Sequence, residues 1–313
     1  MKQFIFIAVI FLFINNKTIS QEKISYTTID YSNKLSPFKV SITLLGIESM
    51  LPQAGVLAEG AIGKRFGYNF CYRRNLAKYV FLTNKNYVVN TSDTKYGNYL
   101  EAGTDFFIFD KTFDNSSLNV TTSEWVSGNS SYSKSFTALV KKRKQKGIHL
   151  GLINYNRMFF SSSDTSIIGN VEFTSDNGKK LKQQNAIYGT NSINTVLFAG
   201  FVFKRVIKTT VSADGWKYYK HFSRRFYIDL LYGNTNFNNI NINGVAYNAT
   251  SPKINPLGYR LGFEWDGKGC VIGFELGMRP GVQYDLPFYN YFNLNFSFNI
   301  INGDMRYAMR SKK

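Results

Sequence analysis

GYRLGFEWDGKGCVIGFELGMR, residues 258–279, reads as a single β-hairpin. On its first arm Tyr259, Leu261, Phe263 and Trp265 share one face, and Gly258, Arg260, Gly262 and Glu264 the other, because side chains alternate along a strand. Asp266-Gly267-Lys268-Gly269 supplies the turn, since glycines beside an aspartate accept the positive φ that a tight hairpin requires. On the return arm Cys270, Ile272, Phe274, Leu276 and Met278 alternate with Val271, Gly273, Glu275, Gly277 and Arg279. A turn of even length brings the two apolar sets to one side. With Gly267-Lys268 at its centre, Arg260 is expected opposite Glu275. A sheet with one bulky apolar face and one face of glycines and charges has two homes. It lies on a soluble core, as in a β-sandwich, or its apolar face meets lipid while its charged face lines a barrel.

Outward from the hairpin, the chain has 313 residues with 17% aromatic and 19% charged positions, a balance richer in aromatics than ordinary soluble domains. Its beginning pairs Lys2 with an apolar run from Phe4 to Ile14 and a polar exit from Asn15 to Ser20. That pattern is a cleavable signal peptide over residues 1–20, too short in its apolar part for a spanning helix. Lys2 and Lys17 are the leader's only charges, so the mature chain keeps 36 Lys and Arg against 20 Asp and Glu. This excess favours anionic partners, whether nucleic acid, lipopolysaccharide phosphates or anionic solutes, or else basic loops and turns that simply face an anionic membrane surface. No nucleic-acid-binding motif accompanies it. Cys71 and Cys270 are too few for a disulfide framework and fall on opposite faces of their strands.

In chain order, residues 21–37 form a polar lead-in that ends at Pro37. Alternation then starts with Phe38, Val40, Ile42 and Leu44, and a weaker strand follows over residues 55–62. Tyr68, Phe70 and Tyr72 alternate with Asn69, Cys71 and Arg73, and residues 96–109 make the next strand. Further strands are expected near residues 118–126, over 131–143 and over 147–160, the last two joined by a basic turn at Lys144-Gln145-Lys146. The run from Lys141 to Lys144 is either a phosphate-binding patch or a solvated turn. Residues 194–211 and 216–233 flank a second Asp-Gly turn at Asp214-Gly215. The stretches 84–95, 161–190, 234–256 and 280–290 are long polar loops. In the last strand Phe292, Leu294, Phe296, Phe298 and Ile300 oppose Asn293, Asn295, Ser297 and Asn299, a row of asparagines suited to a wet lumen.

These segments give about twelve strands, within a range of about ten to fourteen, most near the roughly 9–11 residues a tilted strand needs to cross a bilayer. Short and long connections alternate, as in transmembrane barrels and without reason in a sandwich. Trp265, Tyr232, Tyr289 and Tyr291 fall near strand ends, where interfacial aromatic girdles belong. The signal peptide Met1 to Ser20, the alternating strands from Phe38 and the aromatic terminal strand Tyr291 to Ile300 resemble outer-membrane β-barrel proteins of Gram-negative bacteria. The resemblance implies an all-β, antiparallel up-and-down transmembrane β-barrel over residues 38–301, located in the cell outer membrane and inserted by the barrel assembly machinery. Such barrels commonly finish on an aromatic residue, whereas a basic tail, residues 302–313, follows here.

No serine, histidine and carboxylate converge at a defensible spacing, and the two histidines, His149 and His221, with two separate cysteines offer no metal-ligand pattern. Catalytic, cofactor and metal sites are therefore expected to be none. His149 falls on the same face as Gly147, Gly151 and Arg157. The constellation worth testing is a lumen charge cluster of Arg260, Glu264, Glu275 and Arg279, joined by Arg225 and Asp229 from the preceding strand. Its residues either bridge one another and plug a narrow barrel, or form a constriction that selects solutes. Three functions follow. The first is a non-enzymatic structural, interaction or assembly role, with outer-membrane lipids, lipopolysaccharide and other outer-membrane or surface proteins as partners and no nucleic acid. The second is a porin-like passive channel or transporter for small solutes. The third is a secreted soluble β-sandwich that binds glycans.

Overall fold

Alternation of apolar and polar side chains produces one sheet with two unlike faces, and the sheet closes on itself. The computed structural model describes residues 19–21, 24–32, 36–48, 51–76, 88–91, 97–127, 130–161, 171–181, 186–213, 215–251, 254–267, 269–282 and 291–302, and every regular element among them is a strand. Ten strands form the barrel: β1 Lys39–Glu48, β2 Leu51–Ile62, β3 Phe66–Asn75, β4 Asn98–Ser127, β5 Ser130–Ser161, β6 Ala186–Ala213, β7 Trp216–Phe237, β8 Leu257–Gly267, β9 Cys270–Met278 and β10 Tyr291–Asn302. Each pairs antiparallel with its neighbour in sequence, β10 pairs with β1, and the β5–β6 ladder completes the circle. A single closed sheet replaces the two packed layers that a sandwich would have.

The strand number is ten because two expected pairs of short strands are each one long strand. β4 runs 30 residues and takes in both the expected strand from residue 98 to 109 and the stretch near 118–126, and β5 runs 32 residues straight through Lys144-Gln145-Lys146. Gln145 is buried while Lys146 is exposed, so strand alternation passes through the basic run without a turn. An irregularity between Phe107 and Phe109 absorbs the offset that made this part of β4 look broken. The hairpin of β8 and β9 also differs in register from expectation. Gly267 pairs with Cys270, placing Lys268-Gly269 at the turn, with Gly269 at φ +85°. Arg260 therefore faces Gly277 and Glu275 faces Gly262, a two-residue slide that leaves both faces unchanged.

Connections between strands segregate by length. Residues 63–65 turn at one end, where residues 128–129, 214–215 and 268–269 also connect strands, while residues 76–97, 162–185, 238–256 and 279–290 connect strands at the other. The β1–β2 turn is the one short connection at the long-loop end. Two loops expected to be irregular carry strands: Glu172–Ser175, Ile240–Ile242 and Val245–Thr250 form a small sheet around Val171, Phe173, Ile240, Tyr247 and Ala249. Its hairpin turns on Asn243-Gly244, both at positive φ, a turn signal legible in the sequence. Val88–Thr91, within another expected loop, runs parallel to Ala186–Gly189.

Apolar side chains face outward and polar ones inward. Leu230 is 74% exposed and Phe201 64%, among many large hydrophobic side chains on the outside. Inside lie Lys39, Arg73, Glu101, Asp105, His149, Arg225, Asp229, Arg260, Glu275 and Arg279, all buried. Of the expected aromatic girdle, Tyr232 is outward and exposed and Trp265 half-buried, whereas Tyr289 and the side chain of Tyr291 lie outside the described residues.

β4 and β5 continue past the barrel at the short-turn end, as do the lower parts of β6 and β7. There Val120, Phe136, Ala138 and Val140 pack against Ile207, Val211 and Ala213. The expected lead-in joins this foot through Tyr26–Asp30, which pairs with Thr209–Ala213 of β6, and Ile19–Gln21, which straddles the end of the expected leader, runs parallel to Ser133–Ser135 of β5. Residues 1–18 and 303–313, which hold most of the expected leader and nearly all of the basic tail, lie outside the described residues.

Candidate functional site: a charged lumen

The inward positions of the barrel strands form four tiers of charge, named from the short-turn end. In the first, Lys39 of β1 bridges Glu59 of β2 at 2.7 Å and Asp266 of β8 at 2.9 Å. In the second, Arg225 of β7 binds Asp105 of β4 through Nε (3.1 Å) and Nη2 (2.8 Å), and Glu264 of β8 through Nη1 at 3.2 Å. In the third, Arg260 of β8 donates through Nε (2.9 Å) and Nη2 (2.7 Å) to Asp229 Oδ2 of β7, and through Nη1 to Glu101 Oε2 of β4 at 2.7 Å. Strands β4 and β8 stand four places apart around the ring, so the Arg260–Glu101 bond spans the lumen. In the fourth, Arg73 stacks on Tyr99 at 4.2 Å, and Arg279 on Tyr99 at 4.9 Å and Tyr155 at 5.0 Å.

Glu275 of β9 ties the upper tiers together. Its carboxylate accepts from Tyr227 at 2.6 Å and Asn293 at 3.1 Å, with Arg73 and Arg260 each 3.7 Å away. Tyr99 donates to the Glu101 carboxylate beside it. Aromatic rings fill the space between the guanidiniums: Arg260 lies over Phe198 at 4.6 Å and Tyr227 at 4.9 Å, and Arg225 over Tyr227 at 4.8 Å. Glycine makes that room, because a Cβ at Gly262 would overlap the Tyr227 ring and one at Gly151 the Phe198 ring.

His149 of β5 joins the second and third tiers. Its Nδ1 lies 2.9 Å from Asp229 Oδ1 and its Nε2 2.9 Å from Arg225 Nη2. A guanidinium has no acceptor, so Nε2 must offer its lone pair and Nδ1 must carry the proton to Asp229. The imidazole is thus neutral with both nitrogens engaged, leaving no free lone pair for proton abstraction. His221 lies lower, 3.9 Å from Asp266. A cavity of about 80 Å³ opens here, and Asp105, Arg225 and Glu264 are among its lining. Beyond them Asp229 and His149 are 0% exposed, Arg260 1% and Glu101 4%, so little water-sized space adjoins the third tier among the described residues.

All six residues of the expected cluster point into the lumen. Arg260 with Asp229 and Arg225 with Glu264 form direct bridges, Glu275 is the hub, and Arg279 stacks above on tyrosines. Sequence reasoning left Tyr99, Glu101 and Asp105 of β4 out of the cluster, although they alternate with Leu100, Ala102 and Thr104 as lumen residues should. His149, grouped there with Gly147, Gly151 and Arg157, is buried in the lumen, while the side chain of Arg157 lies outside the described residues. The asparagine row of β10 faces inward: Asn293 is buried on Glu275, Ser297 is buried and bonds Thr43 at 2.8 Å, and the half-buried Asn299 accepts from Ser41 at 2.6 Å.

Cys71 and Cys270 are free thiols. Among the described residues no group of three or more His, Cys, Asp or Glu side chains is arranged to hold a metal ion. No protein-family model, no curated protein and no solved structure matches this chain.

Proposed function

We propose that this chain is an integral outer-membrane β-barrel with a non-enzymatic structural or interaction role, its lumen a cross-braced strut rather than a conduit. The observation that carries this reading is the third tier, where Arg260, Asp229 and Glu101 bond across the barrel with essentially no solvent exposure. Four arginines and five carboxylates neutralise one another across the upper three tiers, so the interior holds no large uncompensated charge to draw an ion through. The outward apolar surface supports membrane insertion, since a soluble chain rarely exposes so large a contiguous apolar area. The leader of residues 1–20 and the alternation of short and long connections support export and an outer-membrane orientation with the short turns in the periplasm. An interaction role is favoured by the small folded sheet that the long loops build at the opposite end.

The test is made in two steps on the refolded, membrane-reconstituted chain. Unboiled protein should migrate differently from boiled protein in gel electrophoresis, as a closed barrel does. In planar bilayers it should then give no stepwise conductance at neutral pH. Regular single-channel steps would replace this reading with the solute channel. Absence of any boiled-to-unboiled shift, with the protein soluble after export, would remove the membrane reading altogether.

A further inference from the structure

On the outside of the barrel, directly below the apolar belt at the short-turn end, lies a one-sided stripe of cations and aromatics. On β4 and β5 the outward cross-strand pairs are Phe109 with Lys146, Lys111 with Lys144 and Phe113 with Lys142. On β6 and β7 Arg205 faces Arg224, and Lys142 lies within electrostatic reach of Arg205 and Lys144. Like charges directly opposite on a sheet are destabilising unless something anionic covers them. Among the described residues no carboxylate lies within 4 Å of Lys111, Lys142, Lys144, Lys146, Arg205 or Arg224. Their contacts are aromatic instead: Lys144 over Phe113 at 4.7 Å, Lys146 over Phe109 at 5.9 Å and Arg224 over Phe222 at 4.6 Å.

The stripe is continuous with the lipid-facing surface. One outward pair above it stand Phe106 with Ile148 and Phe203 with Phe226, all apolar. At the opposite rim the corresponding outward residues include Asn154, Thr195, Asn234 and Asn236, polar but uncharged. On β4 to β7 the cationic band is therefore confined, among the described residues, to the short-turn end.

We propose that this stripe is a binding surface for anionic glycerophospholipid headgroups of the leaflet at the short-turn end. The lipid phosphates sit between the paired cations while Phe109, Phe113 and Phe222 contact the glycerol and upper acyl region. The assignment rests on the membrane-spanning reading above. Charge complementarity identifies the headgroup, and the unbroken step from apolar belt to cations places that headgroup at the depth where a bilayer's phosphates lie.

Trp265 pairs across the sheet with Arg224 and reports on this surface. The experiment uses the full chain refolded into phosphatidylcholine vesicles, with or without phosphatidylglycerol, and compares tryptophan quenching by brominated forms of the two lipids. Wild type should prefer phosphatidylglycerol, with the preference fading at high salt as the charges are screened. The variant Lys111→Gln/Lys144→Gln/Arg205→Gln/Arg224→Gln, which leaves the lumen untouched, should lose at least about tenfold of that preference. A heat-modifiable wild type with no preference, or a folded variant that keeps it, overturns the lipid assignment alone. Failure of wild type to insert into either vesicle overturns it together with the membrane reading. Heparin binding by a folded wild type that shows no lipid preference would assign the stripe to a soluble polyanion instead.

Discussion

Asp229 accepts two bonds from Arg260 and one from His149 with no exposure to solvent, so its loss is costly. Asp229→Ala removes the partner of a buried guanidinium and leaves the His149 proton unpaired, which should destabilise the barrel by about 3–5 kcal/mol. Tyr227→Phe removes only a hydroxyl that donates to Glu275, and should cost about 1.5–3 kcal/mol. Urea titration of the heat-modifiable form in vesicles measures both. In a water-filled lumen the bridges would be screened and Asp229→Ala should cost under about 1 kcal/mol, an outcome that would return the interior to a solvated pore. Much of this cluster was legible in the sequence because facing is a parity: once one residue of a strand is placed inward, every second residue follows. Pairing was less legible. Arg260 reaches Glu101 across the lumen, 159 positions away, and no local pattern encodes which of the inward acids stands opposite.

At the scale of elements, parity makes β10 the cleanest test of inside and outside. Phe296→Arg puts a cation on the apolar outer face and should cost roughly 2–4 kcal/mol near the bilayer midplane, preventing assembly. Asn295→Arg stays on the polar inner face, over Gly46 and Gly273, and should assemble to wild-type heat-modifiability. Equal behaviour of the two would reverse the faces. The strand count depends on β5 instead. Composition marks Lys141 to Lys146 as a turn, because runs of lysine favour solvent, but turns also need residues that accept turn geometry. This segment has no glycine, proline, asparagine or aspartate before Gly147, so the backbone stays extended and Lys142, Lys144 and Lys146 alternate outward. Gln145→Pro therefore removes a ladder donor from the middle of a strand and should abolish the unboiled gel species. A turn at this position would tolerate it.

At the scale of the whole molecule, a closed sheet is limited by its weakest seam. The β6–β7 ladder runs 22 pairs and the β7–β8 ladder 11, whereas β5 and β6 pair only over Met158–Ser161 with Tyr188–Asn191. Below that short ladder the two strands meet through side chains: Asn194 donates to the Tyr155 carbonyl at 3.3 Å and Asn154 to Thr195 Oγ1 at 3.1 Å. Lower still the N-terminal strand takes the edge of β6, with Tyr26 accepting from the Leu139 amide of β5 at 2.8 Å, and β5 and β6 stay packed through apolar side chains. None of this could be read from alternation, which is equally strong on both strands; closure depends on twist and on what the amino-terminal segment does. Asn154 and Thr195 continue the register of the short ladder, so a disulfide between cysteines at these positions closes the seam where backbone bonds lapse. In a Cys71→Ser/Cys270→Ser background, oxidation of Asn154→Cys/Thr195→Cys should raise resistance to urea by about 2–4 kcal/mol. The same bridge between Leu230→Cys and Tyr259→Cys, across the continuous β7–β8 ladder, should add much less, because those strands separate only when the whole barrel opens. Equal gains from the two bridges would mean that the barrel unfolds as one unit with no preferred point of opening, and unfolding that begins at β5–β6 would be ruled out.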